Sequence, residues 1–298
     1  MNRPAKIFSA FITTLVILGC SLASNSTPAP DTQNVATIVA GTIEAITAAP
    51  PAATPIPPTA LPPTQASGIP ISFQNVSLVI PTGLANGAAG EQVAEVNANN
   101  GAPWEVAPAH VKLTFKGYPL QGTMWEPTLH FYPTQQFSAM DDGAEQIITS
   151  LKSVISNPSS LPGHLPFLPL INAQQDFYAQ AQVLQFKNGT GIRYITQFDQ
   201  APLPINNQEM FYTFQGLTSD GKTYLSLTLP ISSPVLPADN NPNSPVPSGD
   251  VAFDQNDFSK FPQYISDVTG VLNSATPGSF SPSLSTMDEL VKSISVTQ

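Results

Sequence analysis

QVLQFKNGTGIRYITQF, Gln182 to Phe198, places two runs of β-forming residues on either side of a single Asn-Gly step. Asn188 and Gly189 both tolerate the positive φ angles of a tight hairpin turn, so the stretch reads as two antiparallel strands. The same arrangement recurs downstream, where MFYTFQGL and TYLSLTL flank Asp220-Gly221. In the second of those arms Leu225, Leu227 and Leu229 fall on one face, and upstream VKLTF does the same with Val111, Leu113 and Phe115. That period of two marks strands with one buried side. Hairpins join sequence neighbours, so the expected framework is a largely antiparallel sheet.

Helical signals lie between and after these strands. Asp141 to Ser156 sets Ile147, Ile148, Leu151, Val154 and Ile155 on one flank, with Asp141 and Asp142 supplying the negative charge that a helix N-terminus favours. Thr286, followed three residues later by Glu289, reads as a capping box opening a helix over Met287, Leu290 and Val291, and SISV then reads as a last short strand. The segment 69–298 is long enough to bury one core. The expected fold class is α+β: one domain, a largely antiparallel sheet packed by helices, with a Pro/Asn-rich loop at 234–250.

A sheet of hairpins, a mid-chain helix and a closing helix ending in DELVKSISV resembles the PsbP-like family of α/β sandwich domains. The resemblance spans Ile69 to Val296 and rests on element order, with the insert AGEQVAEVNANNGAPWEVAPA departing from it. It implies an auxiliary or binding protein without chemistry.

The N-terminal part has a different character. Arg3 and Lys6 precede an apolar core from Ile7 to Leu18, which is shorter than the roughly 20 residues a membrane-spanning helix needs. Such a core followed by a small residue is the pattern of a secretory signal. Ile17-Leu18-Gly19-Cys20 resembles the lipobox of bacterial lipoprotein precursors. That resemblance implies cleavage after Gly19, a signal peptide over 1–19 and diacylglyceryl modification of the Cys20 thiol. The expected location is therefore outside the cytoplasm, lipid-anchored to the outer face of the cell membrane or to the outer membrane.

Residues 20–68 read as a tether. Nine prolines lie between Pro28 and Pro63, and Pro-rich chain favours an extended, solvated conformation. Within it, Val35, Ile38, Val39, Thr42, Ile43 and Ile46 follow helical spacing and suggest a short helix over 33–48, of a length that is marginal in isolation.

Charge narrows the partners. The chain carries 10 Lys+Arg against 20 Asp+Glu, and removal of Arg3 and Lys6 leaves 8 against 20, a net −12. This excludes nucleic acid and a basic grip on anionic lipid, both of which need Lys/Arg clusters. Cys20 is the sole cysteine, so its acylation excludes disulfides and thiolate catalysis alike. No G-x-S-x-G elbow, P-loop, G-x-G-x-x-G or H-E-x-x-H is present, and an enzyme would need an unfamiliar site.

Three groups of residues remain as site candidates. DNNPNSPVPSGD, Asp239 to Asp250, has the oxygen rhythm of a calcium loop at Asp239, Asn241, Asn243 and Asp250, with Asp254 following closely. It lacks the turn glycine at Ser244 and is stiffened by Pro242, Pro245 and Pro247, so a polar connector is the main reading and calcium the secondary one. Trp104 and Trp125, with Tyr118, Phe131 and Tyr132 nearby in sequence, offer either core packing or an aromatic platform for sugars or peptide. His110 and His130 could meet across the sheet as a metal pair, but no third ligand accompanies them, and ordinary strand histidines are the better reading. Together these features predict a lipid-anchored envelope protein presenting a non-catalytic binding or interaction domain. Solute or calcium binding, or an unfamiliar enzyme, is the alternative. Membrane contact through Cys20, and an envelope protein or cell-wall component, are the expected partners.

Overall fold

The computed structural model describes residues 67–241, 244–245 and 247–297. The signal segment, Cys20, the tether up to residue 66, its 33–48 helix and Asn243 lie outside the described residues, and Gly68, taken as the tether's last residue, opens β1. Among the described residues, two antiparallel sheets and four α-helices make a mixed α+β architecture, as the hairpin pattern predicts.

The larger sheet has seven strands: β3 (Gly87–Val93), β4 (His110–Lys116), β5 (Thr128–Pro133), β6 (Gln174–Phe186), β7 (Gly189–Asp199), β8 (Phe211–Thr218) and β9 (Thr223–Pro230). Their spatial order is β3-β4-β5-β9-β8-β7-β6, with every neighbouring pair antiparallel. A smaller sheet pairs β1 (Gly68–Phe73), β2 (Val76–Pro81) and β10 (Ser295–Val296) in the order β1-β2-β10. The helices are α1 (Thr134–Met140), α2 (Asp142–Ser156), α3 (Phe261–Ser274) and α4 (Leu284–Ser293).

Period-two alternation divides the large sheet into two faces. Leu113, Leu129, Phe131, Ile195, Tyr212, Phe214, Leu225, Leu227 and Leu229 join a core with Val268 and Leu272 of α3, Met287 and Leu290 of α4, and Leu78 and Ile80 of β2. Across the sheet, Tyr132, Ile192, Tyr194, Leu217 and Tyr224 meet Phe137 of α1 and Ile148, Leu151 and Val154 of α2. Each fully buried side chain of this size contributes about 1.5–3 kcal/mol relative to exposure, so both layers are driven by burial.

Local chemistry departs from expectation at two places. The β6–β7 loop is Lys187-Asn188, Gly189 already lies in β7, and neither Asn188 nor Gly189 has a positive φ. Each residue is there for another reason. A Cβ on Gly189 would lie 2.1 Å from the Phe186 ring and 2.3 Å from the Leu217 carbonyl oxygen. The Asn188 amide donates to the Val296 carbonyl at 2.6 Å and accepts from the Val296 N–H at 3.0 Å, so the turn holds β10. In the β8–β9 turn, residues 219–222, Gly221 has the expected positive φ of +70 and Asp220 does not.

The second departure is at the start of α4. Ser283, not Thr286, is the N-cap, and its hydroxyl accepts from the Thr286 N–H at 3.2 Å. Leu284 is thereby brought into the core as the first helical residue. The mid-chain helix is preceded by a short one, α1, and Asp141 caps α2 by accepting from the Ala144 N–H at 2.9 Å.

Candidate functional site

The segment joining α2 to β6 is fastened to the sheet by a buried polar network. The Gln215 side chain accepts from the Leu168 N–H at 3.1 Å and from the Tyr224 hydroxyl at 2.7 Å, and it donates to Thr213 and Ser226. Ser226 in turn donates to the Leu168 carbonyl, Tyr194 donates to the Pro166 carbonyl, and Gln175 accepts from the Leu165 N–H. These bonds satisfy otherwise costly buried groups and fix the segment in one place. Its residues Phe167, Pro169 and Ile171 then stand as a wall over the sheet.

Between that wall and Trp125 lies a recess of about 200 Å³. Its floor is made by Lys112 of β4, Thr128 and His130 of β5, and Thr228 of β9, with Glu126 at the rim. The register explains the convergence, since Lys112 is opposite His130 and Thr128 is opposite Thr228. All four are the alternates of the apolar residues that face α3 and α4. Thr128 and Thr228 are buried, at 7% and 8% exposure. Lys112 lies 3.2 Å from Glu91 and 3.9 Å from Glu126, so its charge is balanced at the mouth. Trp125 is held by donating from Nε1 to the Glu209 carbonyl at 2.8 Å, and its ring packs on Phe211 with centroids 4.7 Å apart.

His130 has a defined tautomer. His110 Nδ1 is 2.8 Å from the Pro108 carbonyl oxygen, which can only accept, so Nδ1 carries the proton. His110 Nε2 is then a lone pair, and it lies 3.0 Å from His130 Nδ1, which must be the donor. The proton of His130 is therefore on Nδ1, and its Nε2 is bare. Nε2 makes no hydrogen bond among the described residues and is not sealed from solvent. Burial, reinforced by His110 and Lys112, pushes His130 down to about 3, and burial also lowers His110. Both rings are neutral at physiological pH.

A second polar cluster lies near the ends of β6 and β7, on the face toward α3. Gln197 donates to Asp199 at 2.7 Å and to Glu209 at 3.2 Å, while Asn206 and Asn240 also donate to Glu209. Asp176, at an irregularity in β6, neighbours Asp199, and burial raises its carboxyl to about 8 with added repulsion from Asp199 and Glu209.

The remaining candidates from sequence are dispersed. Trp104 is 42% exposed on the 3-10 turn Pro103–Glu105, outside the recess that Trp125 lines, whereas Tyr118, Phe131 and Tyr132 are core residues. Asp239 accepts from the Asn241 N–H at 3.0 Å and from the Ser244 hydroxyl at 2.5 Å, Asp250 accepts from the Val251 N–H, and Asp254 is paired with Lys260 at 2.9 Å. Among the described residues no three His, Cys, Asp or Glu side chains converge as a metal-holding group, and no helix is long and apolar enough to cross a membrane. His110 and His130 do meet across the sheet, bonded to one another. No family model, no curated protein and no solved structure matches the chain.

Proposed function

We propose that this protein is an exported lipoprotein, held through acylated Cys20 at the outer face of the cell membrane or at the outer membrane. Its α+β domain is a non-catalytic binding module, and the Lys112–His130 recess is its ligand site. The observation that carries the binding assignment is the convergence of side chains from three strands on an open recess, with the His130 acceptor unused by the protein. Pockets that combine apolar walls with a few oriented polar groups are the usual form of a small-ligand site.

The chemistry favours binding over catalysis. A general base works best with a pKa near the operating pH. An imidazole held at about 3 keeps too little proton affinity for that task, yet it remains a good hydrogen-bond acceptor. The element order that resembles the PsbP-like domains supports the same reading. An exported, anchored domain meets envelope components, so a cell-wall constituent is the natural class of ligand.

Thermal unfolding of the full chain, extracted from membranes in detergent, tests the assignment against a panel of small polar solutes and cell-wall fragments. A ligand at 100 times its Kd adds about 2.7 kcal/mol when it binds only the folded state. The expected result is a shift with one class of solute that is lost in the Lys112→Met/His130→Leu double variant. A shift that persists in that variant, or the absence of a shift throughout the panel, would overturn the recess as the ligand site.

A further inference from the structure

Taking the recess as the ligand site, we infer that it is built for one neutral, hydroxyl-rich ring, a single sugar unit. His130 offers a bare Nε2 that can only accept, and Lys112 offers an ammonium that can only donate. Thr128 and Thr228 line the floor, and neither hydroxyl makes a hydrogen bond among the described residues, so each can donate or accept. Glu126, at the mouth with its side chain 76% exposed, adds a second acceptor. A ligand that satisfies this set must present donors and acceptors side by side. Hydroxyl groups do so, since each is both.

Charge argues against an ionic ligand. Glu91 and Glu126 compensate Lys112, so the recess holds no surplus positive charge to select an anion. A cationic ligand would have to lie against the Lys112 ammonium, which lines the same floor. The walls complete the match. Trp125, Phe167, Pro169 and Ile171 present apolar surface, and Trp125 is immobilised by its bond to the Glu209 carbonyl, so it forms a pre-set platform for the C–H face of a ring. At about 200 Å³ the space is below the roughly 300–1,000 Å³ of drug-sized sites, which suits one ring and no more.

His110 is a positioning residue in this scheme. By accepting from His130 Nδ1 it keeps the lone pair of Nε2 directed to the ligand's hydroxyl. Long-range ¹H–¹⁵N spectra of the imidazoles, recorded on the full chain in detergent, read the tautomer directly. The same spectra are then titrated with a neutral hexose, an N-acetylhexosamine, a hexuronate, glycine and choline. The expected result is an unprotonated Nε2 on His130 in the free protein, moved saturably by a neutral sugar. His130→Leu should weaken that binding about tenfold, the loss of one hydrogen bond, and His130→Gln should restore most of it through its amide oxygen. His110→Phe should shift the proton of His130 between its nitrogens and weaken sugar binding with the fold intact. A protonated Nε2 in the free protein would overturn the inference. Saturable movement by hexuronate, glycine or choline, but not by neutral sugars, would overturn the sugar assignment and leave the recess as a ligand site. No movement with any of the five would overturn both.

Discussion

Asp176 shows how far one side chain can depart from its solution behaviour when a strand irregularity turns it inward. Burial beside Asp199 and Glu209 holds its carboxyl protonated until about pH 8, whereas in the unfolded chain it ionises near 3.9. Between those values the folded protein binds the extra proton. Stability from this group is therefore full below about pH 4 and is lost as pH rises through about 8. Asp176→Asn keeps a neutral donor toward Asp199 at every pH. The variant should be more stable than the parent at pH 9, and the gain should shrink toward pH 4.5 in urea unfolding midpoints. An equal difference at both pH values would exclude the shared-proton account. Gly189 is constrained by space alone, because a methyl there meets the Phe186 ring and the Leu217 carbonyl oxygen. Gly189→Ala should cost about 1–3 kcal/mol in the same assay, the usual range for overpacking. Sequence named this residue correctly for its position beside a turn but for the wrong cause, since the conflict involves a third strand that only the folded sheet supplies.

At the scale of elements, α4 is fastened to the sheet by a buried ion pair as well as by its apolar stripe. Asp288 lies 3.3 Å from Arg193 Nε and accepts from the Tyr212 hydroxyl at 3.0 Å, while Arg193 also donates to the Gln180 carbonyl and to Gln182. Removing one partner leaves the other charge buried and uncompensated. Asp288→Ala should therefore cost about 3–5 kcal/mol, measured by urea unfolding, with Asp288→Asn costing less because it keeps a partner for Tyr212. If Asp288→Ala cost under about 1 kcal/mol, the ion pair would not be what holds α4. Elements with strong periodicity were legible from sequence: β4, β9 and α2 carry their apolar residues at unambiguous spacing, while β8 was placed by the Asp220-Gly221 turn that follows it. Others were not. β3, with the composition GAAGEQV, is an edge strand short of β-branched residues, and its Gly90 sits where a Cβ would meet the Phe73 ring. α3 follows an Asp-rich loop, has Pro262 as its second residue and Gly270 inside it, so its helical stripe of Tyr264, Val268 and Leu272 is hard to separate from its surroundings. The recess was legible only by subtraction. Lys112 is the polar alternate inside VKLTF, and what it faces depends on a strand register that sequence does not state. The bond between His110 and His130 depends on the same register.

On the scale of the whole molecule, an acidic chain with few charged residues, if it is the lipoprotein proposed above, needs a means of staying at a surface that is itself commonly anionic. With 10 Lys+Arg against 20 Asp+Glu, electrostatics works against membrane association. The proposed covalent anchor would supply what charge cannot. Each buried methylene contributes about 0.8 kcal/mol and a single acyl chain gives only marginal, reversible binding, so stable attachment requires more than one chain. Acylated Cys20 would carry at least the two chains of a diacylglyceryl group. Cys20→Ala in intact cells separates this anchor from every other source of membrane association. The expected outcome is loss of radiolabelled fatty acid from the protein, with either accumulation of an uncleaved precursor or release of the protein from the membrane fraction. The domain itself should unfold at the same temperature as the parent, because the core is built from residues 76–296. If the variant remained acylated and processed like the parent, the lipobox reading would be wrong. If it lost its acyl chains yet stayed membrane-bound after cleavage, the attachment would have to come from a protein partner, and cross-linking in whole cells would then identify the surface responsible.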